Sequence, residues 1–216
     1  MTPDEAVPVF ASEHEVNDEA ALRALIGDEV PGLAEKNIDR LDSFAIDFIA
    51  RSPFLVLATA DRDGAMDASP KGDAPGFVHV LDERTLLVPD RAGNKLAYGH
   101  LNVLANPRVG LIFVIPGTRE TLRVNGTATL HADPEWLERL AAADGKPAKV
   151  IIKVQVSEVF FHCAKAFIRS KLWQPEQWGE PHKVSFGDIF AARRAAPAEV
   201  AAQIDAAVEQ DYENNL

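Results

Sequence analysis

The sequence predicts an antiparallel β-barrel decorated with helices. Three observations carry this. Short apolar runs are separated by tight turn signals, as in hairpin-connected strands. Helical patterns are inserted late among them and at the two ends, which is the pattern of a sheet with added helices. No strand–helix–strand rhythm and no glycine fingerprint of a dinucleotide or P-loop site is present.

The elements follow in order. Asn17 to Gly27 predicts a short helix, with Asn17 as cap and Gly27 as stop. After the break at Pro31-Gly32, Asp39 to Arg51 predicts a second helix that ends before Pro53. Phe54 to Thr59 is an apolar strand running into the turn Asp61-Arg62-Asp63-Gly64, and Met66 to Ser69 is its returning partner. Phe77 to Leu81 and Thr85 to Val88 form the next pair, turning at Asp82-Glu83-Arg84. Gly93-Asn94-Lys95 opens a helical stretch that reaches Ala105 and is closed by Asn106-Pro107. Val109 to Ile115 is a buried strand. In Thr121 to Leu130, Leu122, Val124 and Ala128 point one way and Arg123 and Asn125 the other. Asp133 caps a helix to Ala142, with Pro134 at its first position. Val150 to Val156 is the last clear strand, Phe160 to Lys171 reads as helix, residues 174–186 as a linker, and Pro197 to Asn214 as a terminal helix.

The chain has 216 residues, 22 Lys+Arg, 33 Asp+Glu and a formal charge of −11. Such a balance argues against non-specific binding to nucleic acid or to an anionic membrane, both of which need a basic surface. The apolar runs are too short for a membrane-spanning helix, and the acidic N-terminus lacks the apolar core of a signal peptide. The single cysteine, Cys163, fits a reducing compartment, and a cytoplasmic protein is expected. Residues 1–50 hold 12 acids and 3 bases and residues 199–216 hold 5 acids and no base, so the middle is slightly basic. Within it, Arg91 to Arg119 and Val159 to Pro175 contain no acid at all. Acid depletion around bases suits an anion site, because a carboxylate would compete for the cations; it also suits buried core, where acids are rare.

Metal chemistry is not expected, since none of the six histidines stands in a ligand-spaced motif. Nucleophilic hydrolysis is not expected either: no Gly-x-Ser-x-Gly elbow is present, Ser69 precedes Pro70, and Cys163 reads as a buried structural thiol. Two cationic groupings remain. Lys71 follows a strand, Arg91 and Lys95 flank Ala92-Gly93-Asn94 at a helix start, and Arg123 projects beside Asn125. These read either as a phosphate cradle, with free N–H groups and a helix dipole, or as surface cations with a helix cap. His162, Lys165 and Arg169, spaced i, i+3, i+7 before Trp173, share one helical face. They read either as a seat for a flat anionic ligand or as a solvated amphipathic helix.

The run Ser52-Pro53-Phe54, Ala58-Thr59, Asp63-Gly64, Asp67 to Asp73 and Pro75-Gly76-Phe77 resembles the pyridoxamine 5′-phosphate oxidase-like, FMN-binding split-barrel superfamily. So do Pro89 to Lys95, Asn102, Asn106-Pro107, Pro116-Gly117 and Glu120 to Gly126. Phe161 to Ser170 with Leu172-Trp173 is similar to a bacterial subfamily of FMN-dependent enzymes. The resemblance covers about residues 38–178, leaving 1–37 as a helical extension and 179–216 as a C-terminal loop and acidic helix.

The resemblance implies a six-stranded Greek-key split barrel and a homodimer with FMN in clefts at its interface. It assigns the FMN phosphate to Lys71, Arg91, Asn94 and Lys95, and flavin contacts to Thr121 and Arg123. His162, Lys165, Arg169 and Trp173 are then expected from the partner subunit, with His162 the candidate for proton transfer. The activity implied is hydride transfer between flavin and a small substrate or NAD(P)H. The alternatives are a non-catalytic protein that binds or sequesters flavin or haem, and a deazaflavin-dependent reductase. True pyridoxamine 5′-phosphate oxidases carry a C-terminal Arg-x-His element, and Ala201 to Leu216 holds neither residue, which argues against the vitamin B6 reaction.

Overall fold

Alternating apolar segments cannot bury one face alone. In the computed structural model, which describes residues 14–93 and 95–215, they pair into an antiparallel sheet. Its strands are β1 (Phe54–Ala60), β2 (Met66–Gly72), β3 (His79–Asp82), β4 (Thr85–Asp90), β5 (Arg108–Val114), β6 (Thr121–His131) and β7 (Val150–His162). The ladder order is β2-β1-β5-β6-β7-β4-β3, so the sheet has seven strands where six were expected. The class is the expected one: mainly β, antiparallel, with added helices. Leu55, Leu57, Leu111, Phe113, Leu122, Val124, Ile152 and Val154 alternate inward to form the main core and are essentially fully buried. Each such side chain removed from water contributes about 1.5–3 kcal/mol before chain entropy is counted.

One ion pair explains how the sheet curls. Lys71 Nζ at the end of β2 lies 2.6 Å from Asp90 Oδ1 at the end of β4. In the ladder four strands separate β2 from β4, so the sheet must wrap round until its first and sixth strands meet. The seam is closed by side chains rather than by a hydrogen-bond ladder, and β3 is the strand added outside it. β2 lies at the sheet edge, which is why Pro70 is tolerated within it opposite Val56.

β7 runs to His162, and this overturns the helix expected from Phe160. Asn125 pairs with Glu158 but Gly126 pairs with Val156, so Ser157 is an extra residue in β7. Gly126 is required there, because a Cβ would collide with the Gln155 carbonyl oxygen. The bulge moves the inward positions from Val156 to Val159, a three-residue step that imitates helical spacing in the sequence.

The helices in the second part of the chain are α2 (Ser43–Arg51), α3 (Tyr98–Ala105), α4 (Pro134–Arg139), α5 (Lys165–Ser170), α6 (Phe186–Arg194) and α7 (Ala198–Asn214). α2 starts four residues later than expected because Asp42 accepts the Ala45 N–H at 2.8 Å and caps it. α3 starts at Tyr98 rather than near Lys95, since Lys95 and Ala97 are left-handed, with φ of 61° and 56°. α4 has Asp133 as cap and Pro134 at its first turn, as read, but ends at Arg139. α6 was not foreseen. Ser185 caps it, its hydroxyl also donates to Asp205 of α7 at 2.6 Å, and a Cβ on Gly187 would collide with the Ala201 carbonyl where the helices cross.

The contacts divide the chain into two units, Met1–Lys36 and Asn37–Leu216. In the first, α1 (Glu19–Ile26) is capped by Asp18 rather than Asn17 and stops at Gly27 as expected. Among the described residues, no helix is long and apolar enough to cross a membrane.

Candidate functional site

The curl of the sheet leaves a cleft of about 670 Å³ along the seam between β2 and β4. Its walls are β2 from Asp67 to Gly72, the end of β4, loop residues 91–93 and 95–97, the first turn of α3, and Lys149 and Ile152 at the start of β7. Lys71 enters it because it stands opposite Leu55, on the inward face of an edge strand that has run past the core. Asp90 enters it because Leu86 and Val88, four and two residues earlier, alternate into the same core.

Three of the residues read as phosphate ligands, Lys71, Arg91 and Lys95, line this cleft. Asn94 lies outside the described residues. Two of the three are engaged with carboxylates. Asp90 holds Lys71 at 2.6 Å, with their side chains 12% and 16% exposed. Asp73 holds Arg91 through Nε at 2.8 Å and a terminal nitrogen at 2.6 Å, and a further Arg91 nitrogen donates to the Leu140 carbonyl at 2.8 Å. Arg91 therefore ties the cleft loop to β2 and to the end of α4. Lys95 and Lys149 project exposed ammonium groups at the cleft. The N–H groups opening α3 meet no side-chain cap, so they add positive potential to the same wall.

Thr121, Arg123 and His162 lie elsewhere. Thr121 is paired with His162 and Arg123 with Phe160 across β6 and β7. Their neighbours Leu122 and Val124 point into the core, so Thr121, Arg123 and His162 occupy the opposite, outer face of the sheet. Arg123 lies 5.8 Å from the centre of the Phe160 ring, and its Nε is buried without a hydrogen-bond partner. His162 stands at the end of a strand, not on the helical face that its spacing to Lys165 and Arg169 predicted. Lys165 and Arg169 remain together on the short exposed α5. Trp173 donates its ring N–H to the Thr118 carbonyl at 2.7 Å and packs 5.7 Å from Phe167, which anchors the segment after α5. Cys163 is exposed, against the buried thiol expected.

The sequence reading missed the acidic half of the cleft. Asp67, Asp73, Asp90 and His100 all belong to it or to its walls. His100 Nε2 lies 3.0 Å from the second oxygen of Asp90 but lacks the alignment of a hydrogen bond. Asp90 adjoins the acid-free run by one residue, which was the available signal; nothing local marks Lys149. Among the described residues, no group of three or more His, Cys, Asp or Glu is placed to hold a metal ion.

A curled antiparallel sheet with a cleft at its seam defines a split-barrel protein. Residues 42–163, more than half the chain, match the family model of pyridoxamine 5′-phosphate oxidase, and the chain belongs to that family. Among solved structures it is similar to HupZ of Group A Streptococcus, at 19% identity and a TM-score of 0.45 over 56% of this chain and 93% of that one. It is also similar to a candidate pyridoxamine 5′-phosphate oxidase of Lactobacillus delbrueckii, at 24% identity and a TM-score of 0.43 over 57% and 99%. An FMN-binding protein of Syntrophomonas wolfei matches at 12% identity and a TM-score of 0.41 over 55% and 81%. Among curated proteins none matches.

Proposed function

We propose that the chain is an FMN-dependent oxidoreductase that binds the flavin phosphate in the β2–β4 cleft. The observation that carries this is the gathering of Lys71, Lys95, Lys149 and the uncapped start of α3 around one cleft of about 670 Å³. That donor set fits a phosphate monoester, which needs cations and backbone N–H groups converging on one point. The volume is in the range of roughly 300–1,000 Å³ that suits small-molecule sites. When bound, the flavin supplies the hydride chemistry with a small substrate or NAD(P)H. The chain's own part is to anchor and orient. Lys95 and Lys149 hold charge at the cleft mouth, while Arg91, fixed by Asp73 and Leu140, holds the loop in place.

We further propose that the working unit is a homodimer. Thr121, Arg123, His162, Lys165 and Arg169 are not among the residues that line the cleft of their own chain, and a second copy is the arrangement that would bring such residues to it.

The test is the absorption spectrum of the purified protein, followed by anaerobic addition of NADH or NADPH. A yellow protein that the nicotinamide bleaches is expected; a colourless protein that does not take up FMN overturns the reading. A second reading is a non-catalytic flavin or haem carrier. It is favoured by one observation, that His162 stands outside the cleft. A yellow protein inert to every donor selects it, and preference for a deazaflavin over FMN in competition selects the deazaflavin reductase.

A further inference from the structure

Asp90 stands between two groups that can each carry its counter-charge. Oδ1 holds Lys71 Nζ at 2.6 Å, and Oδ2 lies 3.0 Å from His100 Nε2, a buried nitrogen with no hydrogen bond. The carboxylate itself is 12% exposed, so it cannot lose its cation cheaply to water. Taking the cleft as the phosphate site proposed above, a bound dianion competes with Asp90 for Lys71. We propose that His100 is a further residue of this anion site. As the phosphate takes Lys71 from Asp90, His100 takes one proton from solvent and replaces Lys71 as the partner of Asp90.

The surroundings make His100 the group that responds. Asp67 of β2 faces the same turn of α3, since a Cβ on Gly99 would stand 3.5 Å from its Oδ2. Lys71 comes from β2, Asp90 from β4, Lys95 and Tyr98 from the loop and first turn, and Lys149 from the start of β7. Arg91 is held by Asp73. Two carboxylates beside an incoming dianion demand added positive charge, and histidine is the side chain whose ordinary titration falls in the neutral range. The proton balance is one proton taken up per phosphate bound. By linkage, binding strengthens as pH falls, approaching about tenfold per pH unit.

The experiment is calorimetric titration with FMN at about pH 8, where a phosphate monoester and an ordinary imidazole have both lost their protons. Two buffers of different ionisation enthalpy count the protons, and riboflavin, which lacks the phosphate, is the control. Wild type is expected to take up about one proton with FMN and none with riboflavin. His100→Gln should lose the uptake and bind FMN more weakly at about pH 6, where the wild type gains most. Asp90→Asn should also lose the uptake, but with the opposite effect on affinity: it frees Lys71 and should bind FMN more tightly at about pH 8. FMN binding without proton uptake, uptake unchanged in His100→Gln, or weaker binding in Asp90→Asn overturns the proposal and leaves the cofactor site standing. Failure of wild type to bind FMN overturns both.

Discussion

The runs Arg91–Arg119 and Val159–Pro175 look alike in sequence, each free of Asp and Glu and each carrying bases. The fold treats them differently. The first contributes Arg91, Lys95 and the start of α3 to a cleft, and acids from outside the run close on it: Asp90 from the preceding residue and Asp73 from across the seam. The second is split between the end of β7 and α5, and its Lys165 and Arg169 stay exposed with no ion pair among the described residues. Local acid depletion therefore says where carboxylates are missing along the chain. It does not say where they are missing in space.

The contrast is broken or sharpened first by stability. Arg91→Ala leaves the Asp73 carboxylate and the Leu140 carbonyl without their donor at a site where the pair is 13% and 21% exposed. A loss of about 2–4 kcal/mol is expected, toward the lower end for removing one member of a buried pair. Arg169→Ala should stay within about 0.5 kcal/mol of wild type. Urea unfolding midpoints at unchanged slope measure both. Equal losses would mean that the two runs are equivalent after all.

Binding separates them next. Lys95→Ala should weaken FMN by about 1–3 kcal/mol, the worth of a charge-assisted contact. Flavin fluorescence reads the affinity, and an unchanged value removes Lys95 from the phosphate site. Lys95 is the cleaner probe than Lys71, because Lys71→Ala would also strand Asp90.

What was legible depended on whether the pattern was local. The strands were readable because inward residues repeat every second position, and Phe54–Ala60 and Arg108–Val114 keep that period throughout. Asp133 and Pro134 marked a helix start because cap and first turn are neighbours in sequence. The end of β7 was misread because the extra Ser157 turns a two-residue step into a three-residue one. α3 was placed too early because Lys95 and Ala97 adopt left-handed backbone that glycine would have announced and these residues do not. Of the candidate site, the cations were visible and their carboxylate partners were not, since Lys71 and Asp90 meet only once the sheet has curled.

A subtler test asks whether the second run acts in trans. If Arg169 faces the cleft of a partner, a mixed dimer of Lys95→Ala on one chain and Arg169→Ala on the other has one site with both residues and one with neither. FMN titration should then find one full-affinity site per dimer. Two impaired sites would place Lys95 and Arg169 in the same chain's cleft, two intact sites would remove both residues from binding, and full affinity in an Arg169→Ala homodimer would remove Arg169 alone.

The smallest expected effect concerns a carboxylate held chiefly by neutral hydrogen-bond donors. Asp205 of α7 accepts from the Ser185 hydroxyl at 2.6 Å and from the Gly187 N–H at 2.8 Å. The Ser185 hydroxyl, followed by the Gly187 N–H, holds its carboxyl below the ordinary carboxylate range. A carboxyl whose folded value is depressed stabilises the fold above its unfolded value, near pH 3.9, and loses that contribution as pH falls through the folded value. The α6–α7 hairpin should therefore loosen on acidification below about pH 4, seen as falling amide protection factors in residues 186–214. Asp205→Asn should start with lower protection at neutral pH and show no such added loss. An acid response identical in the variant would assign the loosening to other carboxylates.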